Sequence, residues 1–146
     1  MRLLPLLLAG LLVCAVQAQD APQDDSQRYV VDIELQTIDE FQQLLERAEQ
    51  LLLDGTVSQE DPSEVTFLLH GPVLRSLLRQ NYLSNKATVD LAASLSALGV
   101  IDIKACRTWM GGNGVDEEDL QPFIETVAYA TAELQRLRRE NNYLYF

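Results

Sequence analysis

The chain has 146 residues, a length that suits one domain built around one hydrophobic core. Acidic residues outnumber basic ones by 22 to 11, and the formal net charge is −11 at pH 7. Phosphate-rich surfaces repel such a chain, so we expect neither nucleic acid nor an anionic membrane as a partner. One histidine and two cysteines, without metal-ligand spacing or a dinucleotide fingerprint, predict no metal site and no cofactor.

The first residues have the pattern of a secretory signal peptide. Arg2 precedes a continuous apolar run at 3–16, and small residues before position 19 suit cleavage after Ala18. The run is shorter than the roughly 18 residues that a spanning helix needs, so we expect no stable membrane insertion after cleavage. Residues 1–18 therefore predict a signal peptide and a periplasmic or secreted protein.

Polarity then divides the rest of the chain into a leader and a folded domain. Residues 19–27 are polar and acidic with no period, which predicts a flexible leader. Residues 28–146 alternate between β-rich runs and segments with apolar residues at helical spacing. Strands are predicted at 28–35, 64–70, 100–106, 123–128 and 142–146, and helices at 37–55, 71–83, 85–99 and 129–141.

This alternation predicts an α/β fold. Strands separated by helices form a parallel sheet with helices on both faces, a three-layer sandwich. The helix at 37–55 has the clearest limits, because Thr37 and Glu40 match a capping box and Gly55 suits the position after the last turn. Functional sites in such sheets lie beyond the C-terminal ends of the strands.

Cys106 stands at the end of the third predicted strand. Once the signal peptide with Cys14 is removed, it is the one cysteine of the chain, so it has no intramolecular partner. Two interpretations remain open: a reactive thiolate that accepts or donates sulfur, or a small buried apolar residue. Arg107 and the backbone N–H groups of a glycine-rich loop predicted at 108–114 would favour the thiolate.

Further candidate binding residues, Gly71 and Arg107 among them, lie near the same edge. His70 ends the second predicted strand, where it would orient or deprotonate the thiol or, the interpretation we favour, bond the backbone of the turn at Gly71. Thr108 and Trp109 follow the cysteine, and Trp109 either binds a ligand or packs in a subunit interface.

Five segments together carry a family resemblance: "VVDIEL", "VTFLLHGP" with its His-Gly turn, "LAASLSALGVIDIKAC", "VDEEDL" and "LQRLRRENNYLYF". Over residues 29–146 the chain resembles exported single-domain members of the DsrE/DsrF-like sulfur-relay family. The resemblance implies a mostly parallel five-stranded sheet and assembly into a homo-oligomer, a trimer or a hexamer. In the sulfur-relay branch the strand-ending cysteine carries sulfur as a persulfide, and by position that cysteine is Cys106.

Two hypotheses of different classes follow. In the first, the protein binds or transfers sulfane sulfur on Cys106, with a sulfur donor or acceptor protein as partner. In the second, it is a non-catalytic oligomeric module that binds a small ligand or serves assembly. A hydrolase or dehydrogenase is disfavoured, because the sequence has neither a nucleophile elbow nor a cofactor loop.

Overall fold

The computed structural model describes residues 27–59, 63–140 and 143–146. The predicted signal peptide and residues 19–26 of the predicted leader lie outside the described residues. Within the described ranges, no helix is both long enough and apolar enough to cross a membrane.

All five predicted strands are present and form one sheet. Their bounds are β1 Tyr29–Glu34, β2 Val65–His70, β3 Ile101–Cys106, β4 Ile124–Val127 and β5 Leu144–Tyr145. The sheet order is β4-β3-β2-β1-β5, and every neighbouring pair is parallel. The predicted α/β fold is thus confirmed, with a sheet that is parallel throughout the described residues.

Helices connect the strands. Their bounds are α1 Ile38–Leu53, α2 Val73–Ser76, α3 Lys86–Ala97, α4 Arg107–Asn113 and α5 Ala130–Glu140. Two 3-10 helices, Arg79–Asn85 and Glu117–Asp119, complete the connections that the structure describes.

The start of α1 follows from its own sequence. The Thr37 hydroxyl accepts a hydrogen bond from the Glu40 backbone N–H, and the Glu40 carboxylate accepts one from the Thr37 N–H in return. This reciprocal capping satisfies backbone donors that the first helical turn leaves free. Gly55, with φ at +78°, follows the last turn as predicted.

The helix predicted at 71–83 is wrong in its extent. After the single turn of α2, Leu78 adopts an extended backbone (φ −71°, ψ 144°), and a 3-10 helix replaces the expected continuation. Side-chain amides take over carbonyls that a longer helix would use. Asn81 donates to the Arg75 carbonyl, and Asn85 donates to the Ser76 carbonyl. This competition between side chain and backbone ends the helix early.

The loop predicted at 108–114 is also wrong, since residues 107–113 form α4. Two glycines in seven residues disfavour a helix by about 1 kcal/mol each, but tertiary contacts override this local preference. Met110 is buried in the main core, and Gly114 ends the helix in the left-handed conformation with φ at +64°. The backbone of Gly111 and Gly112 is therefore helical and forms no anion-binding loop next to Cys106.

The two faces of the sheet are covered unequally. Side chains such as Phe67 and Ile103 point to the main core, which α1, α2 and α3 share. On the opposite face, Val30 and Leu68 pack against Leu137 of α5 and against Tyr143. Helices on both faces confirm the three-layer arrangement. Alternation along the strands places polar residues on the α5 face, near the carboxyl ends of β1, β2 and β3.

Candidate functional site

A pocket of about 290 Å³ opens at the C-terminal ends of β2 and β3, beside the start of α5. Neighbouring parallel strands end at the same edge of a sheet, and ligand sites in open α/β sheets lie outside that edge. The residues that line it are His70, Cys106, Thr108, Trp109, Tyr129, Ala130 and Thr131.

Cys106 is the last residue of β3 and part of this lining. It is a free cysteine and the only one within the described residues. Its exposed fraction is 4%, so the thiol meets the pocket rather than bulk solvent. The strand alternation turns the neighbouring Ala105 to the main core, which places Cys106 on the α5 face.

His70 reaches the pocket from the neighbouring strand, but its partner differs from the expected one. Its Nε2 lies 3.2 Å from Oδ1 of Asp32 on β1, rather than bonding the turn backbone at Gly71. An Nε2–H donated to the carboxylate leaves Nδ1 as the nitrogen that accepts a proton; this tautomer is assigned from the contact. The ring is 29% exposed and the Asp32 side chain 19%, so the pair is partly shielded from water.

The sheet register explains how these groups converge. Asp32 pairs with Leu68, and Leu69 pairs with Ala105, so β1, β2 and β3 bring their ends to one edge. Asp32, His70 and Cys106 come from these three adjacent strands and share one face. The sequence prediction missed Asp32. The sequence feature that could have indicated it is a single carboxylate inside the otherwise apolar run "YVVDI". Its position beside His70 can be inferred only when the sheet register is known.

Gly71 serves the backbone rather than the pocket. Its φ is +105°, a conformation that side chains of L-residues disfavour. A Cβ atom at this position would lie 2.7 Å from Cγ of Glu34 and 3.1 Å from the carbonyl oxygen of Leu35. Glycine is therefore required for the chain to turn from β2 into α2, and Gly71 is absent from the described pocket lining.

Arg107 pairs with a carboxylate outside the described lining of the pocket. It is exposed, its guanidinium lies 3.5 Å from the Glu117 carboxylate, and it is not among the described residues that line the pocket. Thr108 does line the pocket, and its hydroxyl donates to the Ala128 carbonyl at 2.7 Å. That hydrogen bond ties α4 to the connection between β4 and α5.

Two aromatic side chains form the outer wall. Trp109, predicted from the sequence, is half-buried, and the Arg75 guanidinium stacks over its ring at 5.9 Å. Tyr129 was missed and is 53% exposed. No local pattern distinguishes Tyr129, because its position depends on where α5 begins relative to the sheet edge.

An ion-pair network fixes α5 beside the pocket. Lys104 of β3 and Arg136 both bond the carboxylate of Glu133, at 2.9 Å and 2.7 Å. The Arg136 guanidinium, and after it the Lys104 ammonium, lower the pKa of Glu133 from 4.5 to about 2, against the opposing effect of burial. Glu133 is one turn from the pocket residues Ala130 and Thr131, so this network sets where they lie.

Within the described residues, no group of three or more His, Cys, Asp or Glu side chains is arranged to hold a metal ion. What the pocket offers is a single thiol and a histidine, and the histidine ring contacts a carboxylate.

Comparison with solved structures finds MTH1491 from Methanobacterium thermoautotrophicum, a protein of unknown function. The match has a TM-score of 0.64 at 18% sequence identity and covers 82% of this chain and 97% of that one. At this identity the likeness shows the fold alone, an α/β fold. No family model and no curated protein matches the chain.

Proposed function

We propose that this chain is an exported, DsrE-like protein that binds or transfers sulfane sulfur on Cys106. One observation carries the proposal: a free thiol and His70, whose ring contacts the Asp32 carboxylate, line a single pocket at the carboxyl edge of a parallel sheet. The resemblance described above supports the sulfur chemistry, the export and an assembly into a trimer or a hexamer.

Loading of the thiol begins with its deprotonation. The proton passes from Sγ to Nδ1 of His70, which the contact between Nε2 and Asp32 leaves as the acceptor. The thiolate attacks the outer sulfur of a sulfane donor, and the S–S bond of the donor breaks. The leaving group is sulfite when the donor is thiosulfate, and a polysulfide one sulfur shorter when the donor is a polysulfide. Cys106 thus becomes a persulfide without any oxidant.

Unloading is the same reaction in reverse. The thiolate of an acceptor protein attacks the outer sulfur of the Cys106 persulfide, and the Cys106 thiolate is the leaving group. The pocket walls made by Trp109 and Tyr129 would shield the persulfide between the two steps.

A second candidate function is a non-catalytic binding or assembly module. The observation that favours it is the 4% exposure of Cys106, since a buried cysteine is often a small apolar residue and no more. In this function the pocket holds a small ligand against Trp109 and Tyr129, and the thiol is a packing group.

Intact-mass spectrometry of the native, non-reduced protein separates the two. We expect a mass gain of one sulfur after long incubation with excess thiosulfate, polysulfide or an alkyl hydropersulfide, and its loss on reduction. Cys106→Ser is the control and gains nothing. No gain from any of the three donors, with retention of the oligomeric state by Cys106→Ser, would favour the binding module.

A further inference from the structure

The pocket around Cys106 is unusual for a site that would receive a small inorganic anion. None of the described residues that line it is lysine or arginine. Within that described lining, His70 alone has a basic side chain, and its Nε2 already faces the Asp32 carboxylate. The whole chain carries a net charge of −11, which adds to the negative field at the entrance.

Three cations on the elements beside the pocket have partners elsewhere. Arg107 lies against Glu117 and Lys104 lies against Glu133, while Arg75 donates to a backbone carbonyl at the end of α4. Moving any of these cations to the thiol would break an existing ion pair or hydrogen bond. A dianion in the pocket therefore meets no lysine or arginine among the described residues that line it, and the Arg75 guanidinium over the Trp109 ring is already bound to a carbonyl.

The walls favour a different kind of donor. Trp109 and Tyr129 present aromatic surface, and the exposed Thr131 contributes a polar side chain to the lining. Burial of apolar groups against such surfaces is favourable, and a threonine hydroxyl forms hydrogen bonds with an uncharged ligand. The volume of about 290 Å³ lies at the small end of ligand pockets, so the donor is small.

We propose that the Cys106 pocket receives sulfane sulfur from the neutral, protonated form of a small organic hydropersulfide, R–S–SH, rather than from an inorganic dianion such as thiosulfate. This inference rests on the proposed function. The Cys106 thiolate attacks the outer sulfur of R–S–SH, the S–S bond breaks and the organic thiolate R–S⁻ leaves. The protein keeps the outer sulfur and its hydrogen as the Cys106 persulfide, so atoms and electrons balance.

The charge preference is tested first without any sulfur donor. Iodoacetamide and iodoacetate alkylate thiols by the same chemistry and differ in charge. The quantity compared is the rate with iodoacetamide divided by the rate with iodoacetate. We expect this ratio to be about fivefold higher for Cys106 than for 2-mercaptoethanol, and added salt to reduce the difference. A preference equal to or below that of 2-mercaptoethanol would overturn the inference.

A matched pair of variants locates the effect in the pocket. Thr131→Lys places a cation on the lining, whereas Ala132→Lys adds the same charge at the next exposed position of α5, outside the described lining. We expect Thr131→Lys to reduce the preference for iodoacetamide and Ala132→Lys to leave it close to that of the unaltered protein. Equal effects of the two variants would show that net charge, not the pocket, sets the preference, and would contradict the inference.

The donor itself is tested by the initial rate of mass gain with an alkyl hydropersulfide and with thiosulfate, each relative to the same donor on 2-mercaptoethanol. A relative rate at least about fivefold higher for the hydropersulfide is expected. An equal or higher relative rate for thiosulfate would overturn this inference and leave the proposed function intact. No gain from either donor, nor from polysulfide, would overturn both.

Discussion

At the residue scale, the Asp32 carboxylate sets the chemistry available to His70. Its 3.2 Å contact with Nε2 fixes the ring and leaves Nδ1 as the proton acceptor on the histidine that lines the Cys106 pocket. Asp32 is therefore a positioning residue that acts through His70, whereas Cys106 is the reacting group.

His70→Ala should slow the alkylation of Cys106 by iodoacetamide about tenfold, because the base that accepts the thiol proton is lost. Asp32→Asn should slow the same alkylation about threefold, because the amide stabilises the required tautomer of His70 less well than the carboxylate does. Asp39→Asn, which removes the same charge from an exposed position in the first turn of α1, is the control. Equal rates in all four proteins, each shown to be folded, would remove His70 and Asp32 from the mechanism.

Gly71→Ala should destabilise the fold by about 2 kcal/mol, because φ is +105° and the new Cβ meets Glu34 and the Leu35 carbonyl. Gly111→Ala is the matched control. No neighbouring atom lies within 4 Å of its added Cβ, and helical alanine is favoured over glycine, so it should stabilise by about 0.5–1 kcal/mol. Urea unfolding measures the change in the free energy of unfolding for both variants. Changes of the same sign would contradict the requirement for glycine at position 71.

The sequence revealed part of the site at this scale. Cys106 and His70 were predictable because both close a strand, and parallel strands end together. Asp32 and the pairing of Arg107 with Glu117 were not, because the choice of partner depends on sheet register and on the position of α4. Neither of these is encoded in local spacing.

At the element scale, one carboxylate adds an ionic link between α5 and the sheet to the apolar packing of Leu137. Glu133 joins α5 to β3 through Lys104 and is fixed within its own helix by Arg136. Because α5 also carries the pocket residues Ala130 and Thr131, this network connects the stability of the helix with the shape of the site.

Glu133→Gln should lower the free energy of unfolding by about 2 kcal/mol near pH 7. The pKa of Glu133 in the folded protein is about 2, below its ordinary 4.5, so its stabilisation is complete above about pH 4.5 and is lost as the pH falls through about 2. Urea unfolding at several pH values should show the difference from the unaltered protein shrinking across that window. Glu118→Gln, an exposed position, is the control, and a difference that does not change with pH would contradict the assignment.

The helices differ in how far local sequence determines them. The limits of α1 were predictable because Thr37, Glu40 and Gly55 cap it through bonds within the segment. The glycine-rich α4 was not, because burial of Met110 in the core stabilises it despite poor helix propensity. The early end of α2 likewise depends on the side-chain amides of Asn81 and Asn85, which donate hydrogen bonds to the carbonyls of Arg75 and Ser76.

At the scale of the whole molecule, the sheet order β4-β3-β2-β1-β5 places the first and last strands side by side. Tyr143 is buried against Val30 and Leu68, while Phe146 packs by its ring against Tyr29 and Phe67. The C-terminal residues therefore complete both faces of the sheet at one edge, which agrees with the prediction of a final strand at 142–146.

Tyr143→Ala should destabilise the protein by about 3 kcal/mol, because it empties a buried site under α5. Tyr145→Ala, two residues away, should cost less than about 1 kcal/mol, because its ring is 57% exposed and contacts Arg138 at the surface. Urea or thermal unfolding of the two variants measures this contrast. Equal losses would show that the final strand does not close the core as described.

The most direct test of the central claim is the rate at which native Cys106 reacts with iodoacetamide in increasing urea below the unfolding transition. If the thiol is a working nucleophile in its pocket, the rate is finite without urea and nearly constant until the protein unfolds. If it is a core residue, the rate without urea falls about 10⁴-fold or more below that of the unfolded chain, in proportion to the stability, and rises with urea as global unfolding does. We expect the first result, and the second would show that Cys106 is not a reactive thiol in the native protein.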